Sequence, residues 1–336
     1  GVYGLSGLIV LFNAGIAVTL LRYRERGLRY GRSAHPELML GFLLLALSFS
    51  WGVMQFQTIT PLHTPVRVGL VQTNIPQPDK WSEDTIDMIF DRLRSLTMGI
   101  HEGGGADLVV WPETALPEDL WYSQPCYDLV AEMARAGAPL LVGSMDSQYP
   151  ENAPPRYFNS SFLFDDQAEL LGAYDKQHLV IFGEYVPLDE VIPFVEAMTP
   201  IEASFTPGPS NTVFRLPRPE VPFSVLICFE DTLPHLARRA VREGARLLIN
   251  QTNDAWFEHS SAPRQHMAHC VFRCVENRVP AVRCANTGVT CYIDALGVIR
   301  EVLDDGEGNT FVTGFITPWV LVPSDLHHLT FYTRHG

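Results

Sequence analysis

The sequence predicts a layered α/β domain preceded by two membrane-spanning helices. Three observations predict it. Residues 1–21 and 38–66 carry no charged side chain, and each stretch supplies the roughly 20 apolar residues that a span needs. From residue 66 onward, short β-rich runs alternate with helical patterns, the mark of sheets covered by helices. The charge also divides the chain. Five arginines (Arg22, Arg24, Arg26, Arg29, Arg32) against Glu25 and Glu37 leave residues 1–60 at +3, and the remainder, 19 basic against 36 acidic, carries −17.

The 336 residues suit one large or two ordinary domains, with ample chain for a core. A formal charge of −14 argues against a nucleic-acid partner, which requires a basic footprint. The two apolar stretches read as transmembrane helices rather than as core helices, because buried helices of this length without charge are uncommon. A cleaved signal peptide would be a single short run after a basic start, and the chain opens with neither Met nor a basic residue. The expectation is therefore a fragment with membrane spans missing before residue 1 and after residue 336. The arginine-rich loop 22–37 stays in the cytoplasm by the positive-inside tendency, so residues 61 onward are expected on the far side.

Strands are expected at 66–72, 108–111, 139–143, 157–164, 222–228, 247–250, 282–285, 291–294 and 311–316. Between the first two lies a helix, with Ser82 as its N-cap, Glu83 and Asp84 in its first turn, and Ile86, Ile89, Phe90, Leu93 and Leu96 at helical spacing. Further helices are expected at 234–243 and 265–277. No repeat of 20–50 residues is present.

No metal or other cofactor is expected: the sequence has neither HExxH nor paired CxxC. His266 and His269, three apart, read as an ordinary helical face. Gly103–Gly105 lacks the GK[ST] ending of a phosphate loop. Three strand ends are more informative. Glu113 follows an apolar strand and Pro112, where partial desolvation suits a general base, although a solvated loop glutamate looks the same. Lys176, one of only two lysines beside Lys80, is a compact point charge suited to an anionic oxygen. Cys228 closes the run 221–228 and precedes a helix; such a thiol is inert core by default, but a sharp strand-to-helix turn with an adjacent base makes it a nucleophile.

Glu113 in Trp-Pro-Glu-Thr-Ala, Lys176 in Tyr-Asp-Lys-Gln-His-Leu-Val and Cys228 in Ile-Cys-Phe-Glu resemble the Glu-Lys-Cys triad of the nitrilase superfamily. The surrounding wording is similar to that of the bacterial apolipoprotein N-acyltransferases. It includes Val71-Gln-Thr-Asn-Ile-Pro-Gln77 with Lys80-Trp81, Phe182-Gly-Glu-Tyr-Val-Pro-Leu188, Asn253-Asp-Ala-Trp-Phe257, Gln265-His266 and Ala285-Asn-Thr-Gly288. Thr330-Phe-Tyr-Thr-Arg-His-Gly336 resembles the approach to that family's final span. Ile181 stands where the family usually has proline, and Phe229 where it often has tyrosine.

The resemblance implies a four-layer αββα sandwich set on transmembrane helices of a bacterial inner membrane, with residues 61–325 catalytic and periplasmic and 326–336 leading to a missing span. It implies ping-pong transfer of a fatty acyl chain from a phospholipid, through a cysteine thioester, to the diacylglyceryl-cysteine amine of an apolipoprotein. Glu113, Lys176 and Cys228 would be catalytic and Glu184, Phe229 and Glu230 supporting, with Phe229 close to a backbone N–H that helps Lys176; Trp81 would handle substrate. Glu184 and Glu230 would otherwise merely pair with cations. Trp121-Tyr122 and residues 191–205 are expected to cover the site or to pack on the sandwich. The five other cysteines are expected mostly as buried free thiols, although an oxidising compartment permits disulfides. A membrane-tethered amidase using the same triad and a non-catalytic scaffold remain as alternatives.

Overall fold

The computed structural model describes residues 1–26, 35–58, 62–185, 204–325 and 329–336. Part of the basic loop 22–37, most of 191–205, residues 186–188 and the start of 326–336 lie outside the described residues. The chain divides into two compact units, residues 1–61 and 62–335, with Gly336 grouped with the first.

In the first unit, α1 (Val2–Arg26) and α2 (Pro36–Thr58) are 25 and 23 residues long, both long and apolar enough to cross a membrane. Their apolar side chains are mostly exposed, Phe49 and Phe56 among them. The two helices meet edge-on at Phe12 and Phe42, with ring centroids 5.1 Å apart, where Gly41 leaves room for the Phe12 ring.

The second unit is a four-layer αββα sandwich. The first sheet runs β12–β1–β2–β3–β4–β5, from β1 (His63–Gln72), β2 (Leu108–Val110), β3 (Leu140–Gln148), β4 (Arg156–Phe164), β5 (Leu170–Asp175) and β12 (Gly314–Ile316). β1 is long enough to pair antiparallel with two strands: its first half takes β13 (Trp319–Pro323) and its second half β12. The second sheet runs β11–β10–β9–β8–β7–β6, from β6 (Phe214–Pro217), β7 (Glu220–Ile227), β8 (Leu247–Thr252), β9 (Ala281–Ala285), β10 (Cys291–Ile293) and β11 (Ile299–Val302). In each sheet three neighbouring strands are parallel: β1–β2–β3 and β7–β8–β9.

Burial on both faces explains why these strands read as continuous apolar runs. Val68, Leu70, Val110 and Leu141 of one sheet pack against Phe223, Val225, Ile249 and Val282 of the other. On the outer faces, α3 (Ile86–Glu102) and α4 (Gln124–Arg135) cover the first sheet through Ile89, Leu93, Leu129 and Val130. α5 (Pro234–Arg242) and α6 (Ala262–Asn277) cover the second through Leu236, Val241, Cys270 and Cys274. A short α7 (Phe331–His335) follows. Each fully buried aliphatic or aromatic side chain contributes about 1.5–3 kcal/mol.

Local details depart from expectation. Ser82 caps no α-helix: a 3-10 turn at Glu83–Thr85 intervenes, Ser82 makes no side-chain cap bond, and α3 begins at Ile86. The turn is closed instead by the Thr85 hydroxyl, which donates to the Asp79 and Ser82 carbonyls. The strand expected at 311–316 shortens to three residues, because the Phe311 and Val312 carbonyls accept from the Asn74 and Gln72 side-chain amides instead of a ladder.

Candidate active site

Glu113, Lys176 and Cys228 stand just past the ends of β2, β5 and β7, where strand ladders stop and backbone can turn toward a shared centre. Glu113 is 6% and Lys176 1% exposed, whereas Cys228 is half-buried. The Lys176 ammonium lies 3.5 Å from Glu113 Oε1 and 2.7 Å from Glu184 Oε1. The Asn159 amide, from β4, donates to both carboxylates, at 2.8 Å to Glu113 and 3.1 Å to Glu184. Glu184 also accepts from the Val180 N–H at 2.8 Å.

Each residue has its own local brace. The Glu113 turn passes over β3 at Gly143, where a Cβ would come within 2.2 Å of the Pro112 carbonyl oxygen and 2.9 Å of the Glu113 Cα. The Ala115 N–H donates to the Gly143 carbonyl, and Gln251 donates to the Trp111 carbonyl at 2.7 Å. Thr114 takes a left-handed φ of 42°. Buried Lys80 clamps that turn, donating to the Glu113 carbonyl at 3.0 Å and to the Thr114 hydroxyl at 2.6 Å. Burial lowers the Lys80 ammonium to about 8, against the pull of Glu113 and Cys228.

Cys228 also takes a left-handed φ, 51°, at the start of the 3-10 turn Cys228–Thr232. For a non-glycine residue that conformation persists only where surroundings over-determine it. Glu230 is part of the restraint. Fully buried, it accepts from the N–H of Ile227 at 2.8 Å, of Gln177 at 2.7 Å and of His178 at 3.0 Å, and from the Tyr174 hydroxyl at 2.8 Å. Its partners are backbone and phenol donors rather than a cation, so it ties the Lys176 loop to the cysteine turn. Burial raises its carboxyl, and these donors oppose that rise.

Burial pushes the Cys228 thiol well up, and the Glu113 carboxylate pushes it further; Lys176 pulls it down without prevailing. Burial pulls Lys176 down, but Glu113, Cys228 and Glu184 outweigh it and hold the ammonium above its ordinary range. The resting arrangement is therefore a protonated thiol and a firmly charged lysine.

The other expected residues lie around this centre. The Phe229 side chain is 44% exposed, and its ring lies nearly parallel to His178 at 6.4 Å. Trp81 is 48% exposed, its ring 5.7 Å from the Lys80 ammonium. Trp121 packs edge-on against Phe162 at 5.4 Å and Tyr122 against Tyr149 at 5.2 Å, so both rest on neighbouring aromatic rings of the sandwich. A cavity of about 460 Å³ opens beside the Lys176 loop, lined by His178, Leu179, Tyr185, Phe205 and Pro207 among others. Among the described residues no His, Cys, Asp and Glu group has metal-binding geometry, and all six cysteines are free thiols.

Sequence reasoning passed over Lys80, Asn159 and the charged groups beneath Cys228. The last include His266, which is a buried ion-pair partner of Asp231 and Asp254 rather than an ordinary helical face. The available signals were local wording alone, Lys80-Trp81, Asn253-Asp254 and Gln265-His266.

The sandwich has counterparts among solved structures. A mutant amidase of the nitrilase superfamily from Nesterenkonia AN1 superposes with a TM-score of 0.57 at 19% identity, covering 81% of this chain and 94% of that one. A branch 10 nitrilase-superfamily member from Saccharomyces cerevisiae superposes at 0.54, also at 19% identity, covering 79% and 93%. In sequence, the apolipoprotein N-acyltransferase of Geobacter metallireducens is 38% identical over 96% of this chain and 64% of its own length. That of Agrobacterium fabrum is 35% identical over 81% of this chain and 52% of its own. The chain thus spans about half to two thirds of the length of these curated relatives. The carbon-nitrogen hydrolase family pattern matches residues 67–314, which takes in the second sheet, most of the first, their helical layers and all three strand ends. By that match this chain belongs to the carbon-nitrogen hydrolase family.

Proposed function

We propose that this chain carries the catalytic part of an apolipoprotein N-acyltransferase, with Cys228 as nucleophile, Glu113 as general base and acid, and Lys176 as oxyanion partner. The observation that supports it most is the meeting of buried Glu113 and Lys176 with half-buried Cys228 at three strand ends, in a chain aligned over 96% of its length with such an enzyme. The two apolar helices are compatible with a lipid substrate, and the basic loop 22–37 favours a catalytic unit outside the cytoplasm.

The chemistry follows from the charges. Because the resting thiol is protonated, Glu113 takes its proton as sulfur attacks the acyl carbonyl of a phospholipid. The Lys176 ammonium, with the Phe229 N–H, stabilises the oxyanion that forms. The tetrahedral intermediate collapses to a thioester, and Glu113 returns the proton to the departing lysophospholipid alkoxide. The neutral amine of a diacylglyceryl-cysteine then attacks the thioester, Glu113 accepts its proton, and the thiolate leaves and is reprotonated. Glu184 holds the lysine in place, Glu230 keeps the cysteine turn against the lysine loop, and Trp81 meets substrate at the rim.

Incubation of the detergent-solubilised protein with phospholipid, beside Cys228→Ser, tests this. Intact mass spectrometry is expected to show a hydroxylamine-labile gain of one acyl chain on wild type alone. Absence of the adduct, together with hydrolysis of a small amide, would favour a membrane-tethered amidase with the same triad.

A further inference from the structure

Beneath the cysteine turn lies a buried group of four ionisable side chains: Asp231, Asp254, His266 and Arg283, exposed by 0, 0, 8 and 0%. Arg283, on β9, donates to Asp231 at 2.8 Å, to Asp254 at 2.7 Å and to the Asn250 side-chain oxygen Oδ1 at 2.7 Å. On α6, His266 places Nδ1 2.8 Å from Asp254 Oδ1 and Nε2 3.0 Å from Asp231 Oδ1. Carboxylates at both ring nitrogens favour the doubly protonated, charged ring, although Arg283 Nη2 also lies 2.9 Å from Nδ1. Burial and Arg283 oppose that charge, but the two aspartates prevail and raise the imidazolium to about 9. With two carboxylates, one guanidinium and one imidazolium the group is neutral, which is how four buried ionisable side chains are tolerated.

This group also reaches the nucleophile's backbone. His266 Nε2 lies 3.3 Å from the Cys228 carbonyl oxygen, and the Asn250 amide donates to the same oxygen at 3.1 Å. In a trans peptide the C=O and the following N–H point in opposite directions. Anchoring the Cys228 carbonyl inward on two donors therefore aims the Phe229 N–H outward, away from the charged group. The left-handed φ of Cys228 is the backbone state that this anchoring holds.

We infer that His266 is a positioning residue: through the Cys228 carbonyl it orients the Cys228–Phe229 peptide so that the Phe229 N–H can meet the oxyanion formed when the cysteine is acylated. The inference rests on Cys228 being the acyl-accepting nucleophile, but not on the lipid or lipoprotein substrates. Asp231, Asp254 and Arg283 act one step further back, holding the imidazolium in place.

Two thiol reagents separate this role from a general structural one. A p-nitrophenyl ester acylates the cysteine through a tetrahedral oxyanion, whereas iodoacetamide alkylates it by displacement without one. Both require that the sulfur lose its proton to the same base, so the ratio of the two rates largely cancels changes in thiol deprotonation. In the detergent-solubilised chain, His266→Ala is expected to slow ester acylation at least tenfold while alkylation stays within about threefold, since losing an oxyanion donor outright costs about 10²–10³. His266→Gln, which keeps an N–H donor, is expected to restore most of the acylation rate. If the alanine variant does not fold, His266→Met fills the space without a donor and carries the same expectation. Equal loss of both rates, or loss of neither, would overturn the inference. Failure of phospholipid acylation in the wild type would count against the acyltransferase reading alone, because neither reagent requires lipid.

Discussion

Replacing Lys80 by methionine separates stability from activity in a way that the structure makes quantitative. The ammonium is 3% exposed and sits near 8 instead of 10.5, so its charged form is penalised by about 3 kcal/mol at neutral pH. Methionine removes that penalty but leaves the Glu113 carbonyl and the Thr114 hydroxyl without the donor that held them, at about 1–3 kcal/mol each. The opposing contributions nearly cancel, and Lys80→Met should cost only about 1–2 kcal/mol at pH 7.

The pH dependence is the sharper signature. Between about 8 and 10.5 the unfolded chain still holds the Lys80 proton and the folded chain has released it, so wild-type stability rises with pH in that window. Below 8 the contribution is lost. Relative to Lys80→Met, the wild type should gain about 2 kcal/mol between pH 7 and pH 9.5. Denaturant titrations of both detergent-solubilised proteins at the two pH values measure this, and a difference that stays flat with pH would refute the buried-ammonium account. Acyl transfer should fall about 100-fold in the variant, because the Glu113–Thr114 turn loses its clamp and a 1 Å shift of a catalytic group costs about that much.

Other perturbations follow from the same cluster. Glu113→Gln should abolish acyl transfer yet speed iodoacetamide alkylation of Cys228 near pH 8, because the carboxylate pushes the thiol up; an unchanged alkylation rate would show that the Glu113 charge does not act on the thiol. Lys176→Met should do the reverse to the thiol and also destabilise the fold by about 3–5 kcal/mol, since buried Glu113 and half-buried Glu184 would be left without their cation; a melt within 1 °C of wild type would contradict it. Gly143→Ala should displace the Pro112–Glu113 backbone and reduce turnover about 100-fold, with Cys228 alkylation as the control for an intact cysteine turn.

Both apolar helices were legible because a span must be apolar along its whole length, a property of local composition. The parallel strands β2, β7 and β8 were legible for a related reason: buried on both faces, they read as unbroken apolar runs. The strands β5, β6 and β11 carry exposed or alternating positions and weak local signals, and their existence depends on antiparallel partners elsewhere in the sheets. α4 buries Cys126, Leu129, Val130 and Met133 at helical spacing, but it is twelve residues long with a proline in its first turn, and it is not among the helices expected from sequence.

The candidate site divides in the same way. Glu113, Lys176 and Cys228 are nameable from local wording, since each ends a strand in a recognisable setting. The partners that hold them in place are not. Asn159 lies 46 residues from the Glu113 that it holds, and His266 lies 38 residues from the Cys228 carbonyl that it reaches. By itself the sequence determined the two apolar helices, the alternating strands and the three residue types at the strand ends, because periodicity and composition act over a few neighbours. The tertiary structure alone decided that the Cys228 thiol is pushed further up, that Lys176 keeps its charge despite burial and that the Cys228 carbonyl is anchored inward. Those states depend on desolvation and on charges brought within about 3 Å by chain segments far apart in sequence.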